Sequence, residues 1–272
     1  MPPLPRLQRL LPSPLMKASA LLHLGAAGSL AAFPGAWLWA AGAVIADHLI
    51  LAACGLTPRS GWLGPNLKRL PAAAAARGCV AITIDDGPDP EVTPRVLDQL
   101  AEHRAHATFF CIGERVRRHA DLAREIVRRG HAIENHSQRH LYRFSLLGVS
   151  SLIREIAEAQ ETIAEVCGLR PQFFRAPAGF RSPLLEPQLA RLGLKLASWT
   201  RRGFDTVNGD AEAVLAKLRR NLRAGDILLL HDGAAARTTA GRPVILEVLP
   251  PLLDSVAAAG LTPVALRSAV GG

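Results

Sequence analysis

The chain past Gly78 predicts an α/β fold, a parallel sheet with helices laid on it, open or closed into a barrel and preceded by a membrane segment. Three observations predict it. Short apolar runs alternate with amphipathic stretches from Cys79 to Leu266. Glycines at 130, 168, 193 and 260 close four of those stretches, as helix C-termini often require. Between Ala18 and Ala46 no side chain carries a formal charge, His23 aside.

Taken in order, the first element is that uncharged run. Arg6, Arg9 and Lys17 precede it and Arg59, Lys68, Arg69 and Arg77 follow. Ala41-Gly42-Ala43 resembles a signal-peptide cleavage site, but the apolar stretch is long for one. A single helix from Ala18 to Leu38 would reach across the roughly 30 Å hydrocarbon core. The reading preferred here breaks the run at Pro34-Gly35 into a hairpin of helices near residues 18–33 and 36–56. That hairpin sets Asp47 at mid-bilayer, which costs about 2.5–3.5 kcal/mol unless His48 or a group on the first helix offsets it. Basic residues at both ends favour a catalytic region on the cytoplasmic face, with the periplasmic face as the alternative. Residues 57–78 read as a Pro/Gly/Ala linker. The expected division is therefore a membrane segment at 1–56, a linker at 57–78 and a catalytic domain at 79–272.

Seven strands and six helices follow. The strands are Cys79–Ile84, Ala107–Ile112, His131–Glu134, Gln172–Arg175, Leu194–Trp199, Ile227–Leu230 and Thr262–Leu266. The helices are Thr93–His103, Glu114–Arg129, Val149–Val166, Leu184–Leu192, Ala211–Leu222 and Val244–Ala259. In the third helix Leu152, Ile153, Ile156, Ala159, Ile163 and Val166 form one face and Arg154, Glu155, Glu158 and Glu161 the other.

Of 272 residues 49% are hydrophobic, and the mean hydropathy of +0.17 excludes a disordered chain. The net charge of +9 would suggest nucleic acid, but residues 1–78 alone hold seven Lys/Arg against the single acid Asp47. That charge reads as membrane topology, which excludes nucleic acid as a partner. Four cysteines at 54, 79, 111 and 167 show no Cys-x-x-Cys spacing and imply neither a disulfide framework nor a thiolate metal site.

In parallel sheets chemistry collects at strand C-terminal ends, and the polar clusters fall there. Thr83-Ile84-Asp85-Asp86-Gly87-Pro88 ends the first strand; adjacent acids can divide cation binding from proton transfer, or simply make a turn. Asn135-His136-Ser137-Gln138-Arg139-His140 follows the third. Histidines at i and i+4 on one helical turn can reach one metal, and an aspartate would complete a three-ligand set with an open position. Phe174-Arg175-Ala176-Pro177-Ala178-Gly179 offers an arginine to orient a carboxylate and a turn to expose an N–H to an oxyanion. Leu230-His231-Asp232 places a histidine at the end of a buried strand, where it can donate a proton. The weakest cluster is Trp199-Thr200-Arg201-Arg202-Gly203-Phe204-Asp205-Thr206. His103, His106, His119 and His131 match no motif and read as structural or exposed.

Together these clusters resemble the NodB-like polysaccharide deacetylases, carbohydrate esterase family 4, across residues 79–267 with five motifs in the family's order. The resemblance implies a distorted barrel of about seven parallel strands with helices outside. It implies one divalent metal, most often zinc with cobalt, nickel or manganese as alternatives, held by Asp86, His136 and His140. Asp85 matches the catalytic base, His231 the acid, Arg175 the residue that orients the base, and Asp205 the partner of the histidine. The backbone N–H of Ala178 matches the oxyanion donor. The implied activity removes an N-acetyl group from an amino sugar or glycan. Alternatives are a deacylase or deformylase of a lipid-linked sugar, or a non-catalytic glycan-binding module, which intact Asp85 and His231 argue against. Three departures alter the walls of the site: Ala178 where the family carries an aromatic (Phe180 comes two residues later), Arg202 where it carries an acid, and Thr206 where it carries a tryptophan. Arg201 and Arg202 would then face an anionic substrate such as a lipid-linked phospho-sugar.

Overall fold

The computed structural model describes residues 11–270; Arg6 and Arg9 lie outside the described residues. Two long helices come first, α1 (Pro14–Ala32) and α2 (Trp37–Leu56), joined by a 3-10 turn at Pro34–Ala36. Pro34 ends the first helix because its ring removes a donor and clashes with the preceding turn. Both are long and apolar enough to cross a membrane, and their large side chains face outward: Leu21, Leu24, Trp39 and Leu49 are all exposed. The helices meet through one polar bond, Ser19 Oγ donating to Asp47 Oδ2 at 2.7 Å, with His23 Nδ1 at 3.9 Å. Asp47 therefore finds its partner on the facing helix.

Residues 57–78 are packed rather than free. Leu63, Leu70 and Ala74 are buried, Leu67 bridges Ala197 in parallel, and Leu70 N–H donates to Gly225 O. A short helix, α3 (Ala72–Ala76), leads into the sheet.

The sheet contains β1 (Cys79–Asp85), β2 (Ala107–Cys111), β3 (Ala132–Asn135), β4 (Phe173–Phe174), β5 (Lys195–Leu196), β6 (Arg201–Arg202) and β7 (Ile227–His231). They run in the order β5-β4-β3-β2-β1-β7-β6, every pair parallel, and β8 (Thr262–Pro263) pairs with the foot of β1. Around this curled sheet lie α4 (Thr93–Glu102), α5 (Gly113–Arg118), α6 (Ala120–Arg128), α7 (Val149–Cys167), α8 (Leu185–Arg191), α9 (Ala211–Arg219), α10 (Ile245–Ala258) and α11 (Leu266–Val270).

The two-residue period of a strand decides what faces where. In β1, Val80, Ile82 and Ile84 join the large core shared with the helices, whereas Cys79 and Ala81 join a smaller core inside the curl with Phe110, Ile227 and Leu229. Thr83 and Asp85 continue the inward row of β1, and His231 continues that of β7. Register then sets Asp85 beside His231 across the β1–β7 pair.

The structure departs from the sequence expectation in several places, and the strands expected at Gln172–Arg175 and Leu194–Trp199 keep two residues each. The stretch Glu114–Arg129 is two helices, broken where His119 leaves helical dihedrals (φ −121°, ψ 52°). Arg201–Arg202 is a strand that the polar pair concealed. The run Thr262–Leu266 shortens to two strand residues, after which the chain turns into α11.

Candidate active site

The site lies at the C-terminal ends of β1, β3, β4 and β7, in a cavity of about 210 Å3 whose lining includes Asp85, Asp86, His136, His140, Ala178 and His231. These residues run from Asp85 to His231 in sequence. Among the described residues, five of the seven non-glycine residues with positive φ belong to its motifs: Asp86, Ser137, His140, Ala178 and Phe204. Such left-handed backbone costs energy and gathers where surrounding packing holds it for function.

Asp85 is the end of β1 and is 3% exposed. Arg175, 1% exposed, donates from Nη1 to Asp85 Oδ1 at 2.6 Å and to Thr83 Oγ1 at 2.9 Å. Its remaining donors reach the Ala197 and Ser198 carbonyls, and its guanidinium lies 4.0 Å from the centroid of Phe110. Burial pushes the guanidinium pKa down, against the pull of Asp85. So fixed, the arginine permits Asp85 one orientation, with Oδ2 left toward His136 at 3.9 Å.

Asp86, with a φ of 76° just after the strand, lines the same cavity as Asp85. Its Oδ1 is buried without a hydrogen-bond partner and lies 3.2 Å from His136 Nε2 and 3.3 Å from His140 Nε2. Burial alone would raise its pKa, but His136, close to Oδ1, with His231 and His140 outweighs it and holds the carboxyl well below its usual range. For His136 burial is likewise outweighed, by Asp85 and Asp86, and its pKa rises. Burial and neighbouring His136 push His140 down. His136 Nδ1 donates to Arg175 O at 2.8 Å, which leaves Nε2 as the lone-pair nitrogen. One ligand atom each of Asp86, His136 and His140 lies within 4.8 Å of the others. An orphaned buried oxygen beside two convergent imidazole nitrogens fits a divalent cation bound by two histidines and a carboxylate.

His231 stands across the cavity. Asp205, fully buried, accepts from both its backbone N–H (2.7 Å) and its Nδ1–H (2.9 Å). That leaves Nε2 to the cavity. Burial disfavours the imidazolium, yet Asp205 overcomes it and raises the pKa above the ordinary histidine value.

The 3-10 turn Pro177–Gly179 forms another wall, with Ala178 exposed on it. Gly179 has φ of 78°, and a Cβ there would sit 2.5 Å from Trp199 Cη2 and 2.9 Å from Pro58 Cβ. Pro58 holds the turn from the N-terminal side, a role the sequence did not disclose.

Every site residue anticipated from sequence thus borders or supports this one cavity: Asp85, Asp86, His136, His140, Arg175, Ala178, Asp205 and His231. Arg201 and Arg202 part company, since neighbouring strand residues face opposite ways. Arg202 lines the cavity, whereas Arg201 binds Asp226 at 2.8 Å. Phe180 is not among the lining residues; Tyr142 and Trp199 supply the aromatic walls. Sequence reasoning also passed over Asp232, the residue after the histidine. Burial pushes its carboxyl up to about 7 although Thr93 donates to it. An acidic residue in a motif already assigned to its neighbour gave no separate signal. Away from the site, His103 binds Asp254 and the Gln99 carbonyl, and His131 accepts from Ala107 N–H, its pKa lowered to about 4 by burial.

A curled parallel sheet with two histidines, two aspartates and a carboxylate-paired histidine at its strand ends defines a hydrolase of the acyl-removing class. Residues 72–197 match the family model for polysaccharide deacetylases. A peptidoglycan-N-acetylglucosamine deacetylase of Bacillus cereus is 36% identical over 179 residues, 65% of this chain and 79% of that protein. A chitooligosaccharide deacetylase of Sinorhizobium fredii is 35% identical, with 61% and 78% covered. The fold matches a crystal structure of a peptidoglycan N-acetylglucosamine deacetylase with a TM-score of 0.68 at 24% identity, over 76% of this chain and 92% of that one. The chain belongs to the polysaccharide deacetylase family, enzymes that hydrolyse carbon–nitrogen bonds of linear amides.

Proposed function

We propose that the protein is a metal-dependent N-deacetylase of N-acetylated amino sugars in a glycan, held at a membrane by residues 1–56, with the catalytic domain at 79–272. The observation that carries this reading is the orphaned Asp86 Oδ1 facing two imidazole nitrogens while Asp85 and His231 flank it in the same cavity. Asp86, His136 and His140 would hold the ion; their donor set suits zinc, with cobalt, nickel or manganese as substitutes. When bound, such an ion acidifies water and polarises a carbonyl oxygen.

The chain's own residues do the rest. Asp85, oriented by Arg175, accepts a proton as water attacks the acetamide carbon. The Ala178 N–H donates to the oxygen that gains negative charge. His231 donates its Nε2 proton to the departing sugar nitrogen as the C–N bond breaks, and Asp205 stabilises its imidazolium until then. Acetate and a free amine result.

The hairpin returns the chain to the side it started from, and Arg6, Arg9 and Lys17 favour the cytoplasmic face. A reporter fused after residue 70 that is active only in the periplasm would overturn that assignment.

Full-length protein in detergent, loaded with zinc, is expected to release acetate from neutral N-acetylglucosamine oligomers and to hold one ion per chain. His136→Ala should lose both. Acetate release undiminished after the ion is stripped would sink the metal-dependent reading.

A further inference from the structure

Arg202 is a cation that the proposed chemistry does not use. It lines the cavity with Asp85, Asp86 and His231. Its guanidinium carbon lies 5.6 Å from the Trp199 ring centroid and 5.1 Å from that of Phe204, so the head is held between two aromatic faces. Its Nε is buried without a hydrogen-bond partner. None of the ion pairs among the described residues involves it. The nearby carboxylates have other partners: Arg175 takes Asp85, His231 takes Asp205, Thr93 takes Asp232, and Arg69 and Arg201 share Asp226.

Stacking on two rings accounts for the position of the guanidinium but not for a dry, unpaired Nε. The buried Nε is closed to a ligand, so an acceptor from outside the chain would meet the two Nη amines, which have no hydrogen-bond partner among the described residues. A guanidinium presents donors in a fixed planar fork that fits a carboxylate or a phosphate in two-point contact. The surroundings agree with an outside acceptor. Trp199, one of the two rings, also forms part of the cavity wall beside Gly179, so the arginine belongs to the surface a sugar would touch.

We infer that Arg202 is a specificity-determining residue that binds an oxyanion carried on the substrate, so that the substrate class is an acylated amino sugar bearing a carboxylate or a phosphate. This rests on the deacetylase reading above. The anion comes from one of two sources: an acidic sugar such as an N-acetylated sugar with an ether-linked carboxylate, or a phosphate ester at the reducing end, free or lipid-linked.

The test compares kcat/KM of the zinc-loaded full-length protein in detergent, at constant ionic strength, on three kinds of substrate. They are a neutral N-acetylglucosamine oligomer, the same length carrying an N-acetylmuramic acid carboxylate, and N-acetylglucosamine 1-phosphate with its isoprenoid diphosphate counterpart. Wild type should favour one anionic substrate about tenfold or more over the neutral one, as expected for a hydrogen-bonded charge pair. Arg202→Gln should bring that ratio close to one with metal content retained, whatever the absolute rate on the neutral oligomer, and Arg202→Lys should fall between. Which anionic substrate wins identifies the source. A preference that survives in Arg202→Gln, or no preference in wild type, overturns the inference and leaves the deacetylase reading intact. No release from any of the three by metal-loaded protein overturns both. Should Arg202→Gln fail to fold, inhibition of wild type by inorganic phosphate decides: no stronger effect than chloride counts against an anion site.

Discussion

His231 and Asp205 are bound twice, backbone to one carboxylate oxygen and ring to the other. Burial alone would lower the histidine's pKa, and the Asp205 charge is what raises it. As a proton donor His231 must be protonated, so activity should fall as pH climbs through that raised pKa. Asp205→Asn removes the charge and leaves the burial, so the pKa drops. The alkaline limb of the kcat/KM profile should then move to lower pH, with activity at neutral pH reduced by about a hundredfold or more. An unmoved limb would show that another group sets it. Metal content should not change, because Asp205 lies across the cavity from Asp86. At this scale the chemistry-bearing residues were legible, since Asp85-Asp86 and His136…His140 are unusual residue types at a fixed spacing. The separation of Arg201 from Arg202 was not, because which way a strand residue faces depends on a register that only the folded sheet supplies.

The turn Pro177–Gly179 shows the same lesson for elements. It is gripped between Trp199, which comes from the β5 side of the sheet, and Pro58, which lies well before the first strand in sequence. Gly179 has no room for a methyl group and a φ that disfavours one. Gly179→Ala should therefore displace the Ala178 N–H and lower kcat about tenfold or more, as loss of an oxyanion donor does. The bound ion should be retained, because its ligands sit after β1 and β3. Loss of the ion in this variant would mean that the turn and the histidine loop are one unit. Strands β1, β2 and β7 could be read from sequence because five or more consecutive residues are buried. Strands β4 and β5 were also read from their apolar runs but keep two residues each, so their ends are set by their neighbours, and β6, another two-residue strand, is defined by its neighbours alone. The break at His119 was equally hidden, since helical periodicity continues on both sides of it. The 57–78 segment read as a linker from its Pro, Gly and Ala, whereas its three buried apolar residues, Leu63, Leu70 and Ala74, are too sparse to make a pattern.

Across the whole molecule, the hairpin and the cavity are mechanically connected. The last turn of α2 touches the catalytic domain where Arg181 N–H donates to Gly55 O at 2.9 Å. A Cβ at Gly55 would lie 2.6 Å from the Arg181 carbonyl oxygen, so only glycine permits that approach. Three residues on, Pro58 presses against Gly179, and Arg59 donates to the Thr200 carbonyl two residues before Arg202. The apolar helices therefore end beside the wall of the candidate active site. Gly55→Val separates two readings of this contact. If the hairpin only tethers the domain, the variant should match wild type on a soluble oligomer. If it braces the turn, kcat on that oligomer should fall several-fold with the ion still bound, and limited proteolysis should begin to cut within residues 57–66. We expect the second outcome, because backbone within van der Waals contact of backbone cannot yield without moving one of the two segments. An unchanged kcat and proteolytic pattern would reduce the hairpin to an anchor and leave the position of the Pro177–Gly179 turn to Trp199 alone.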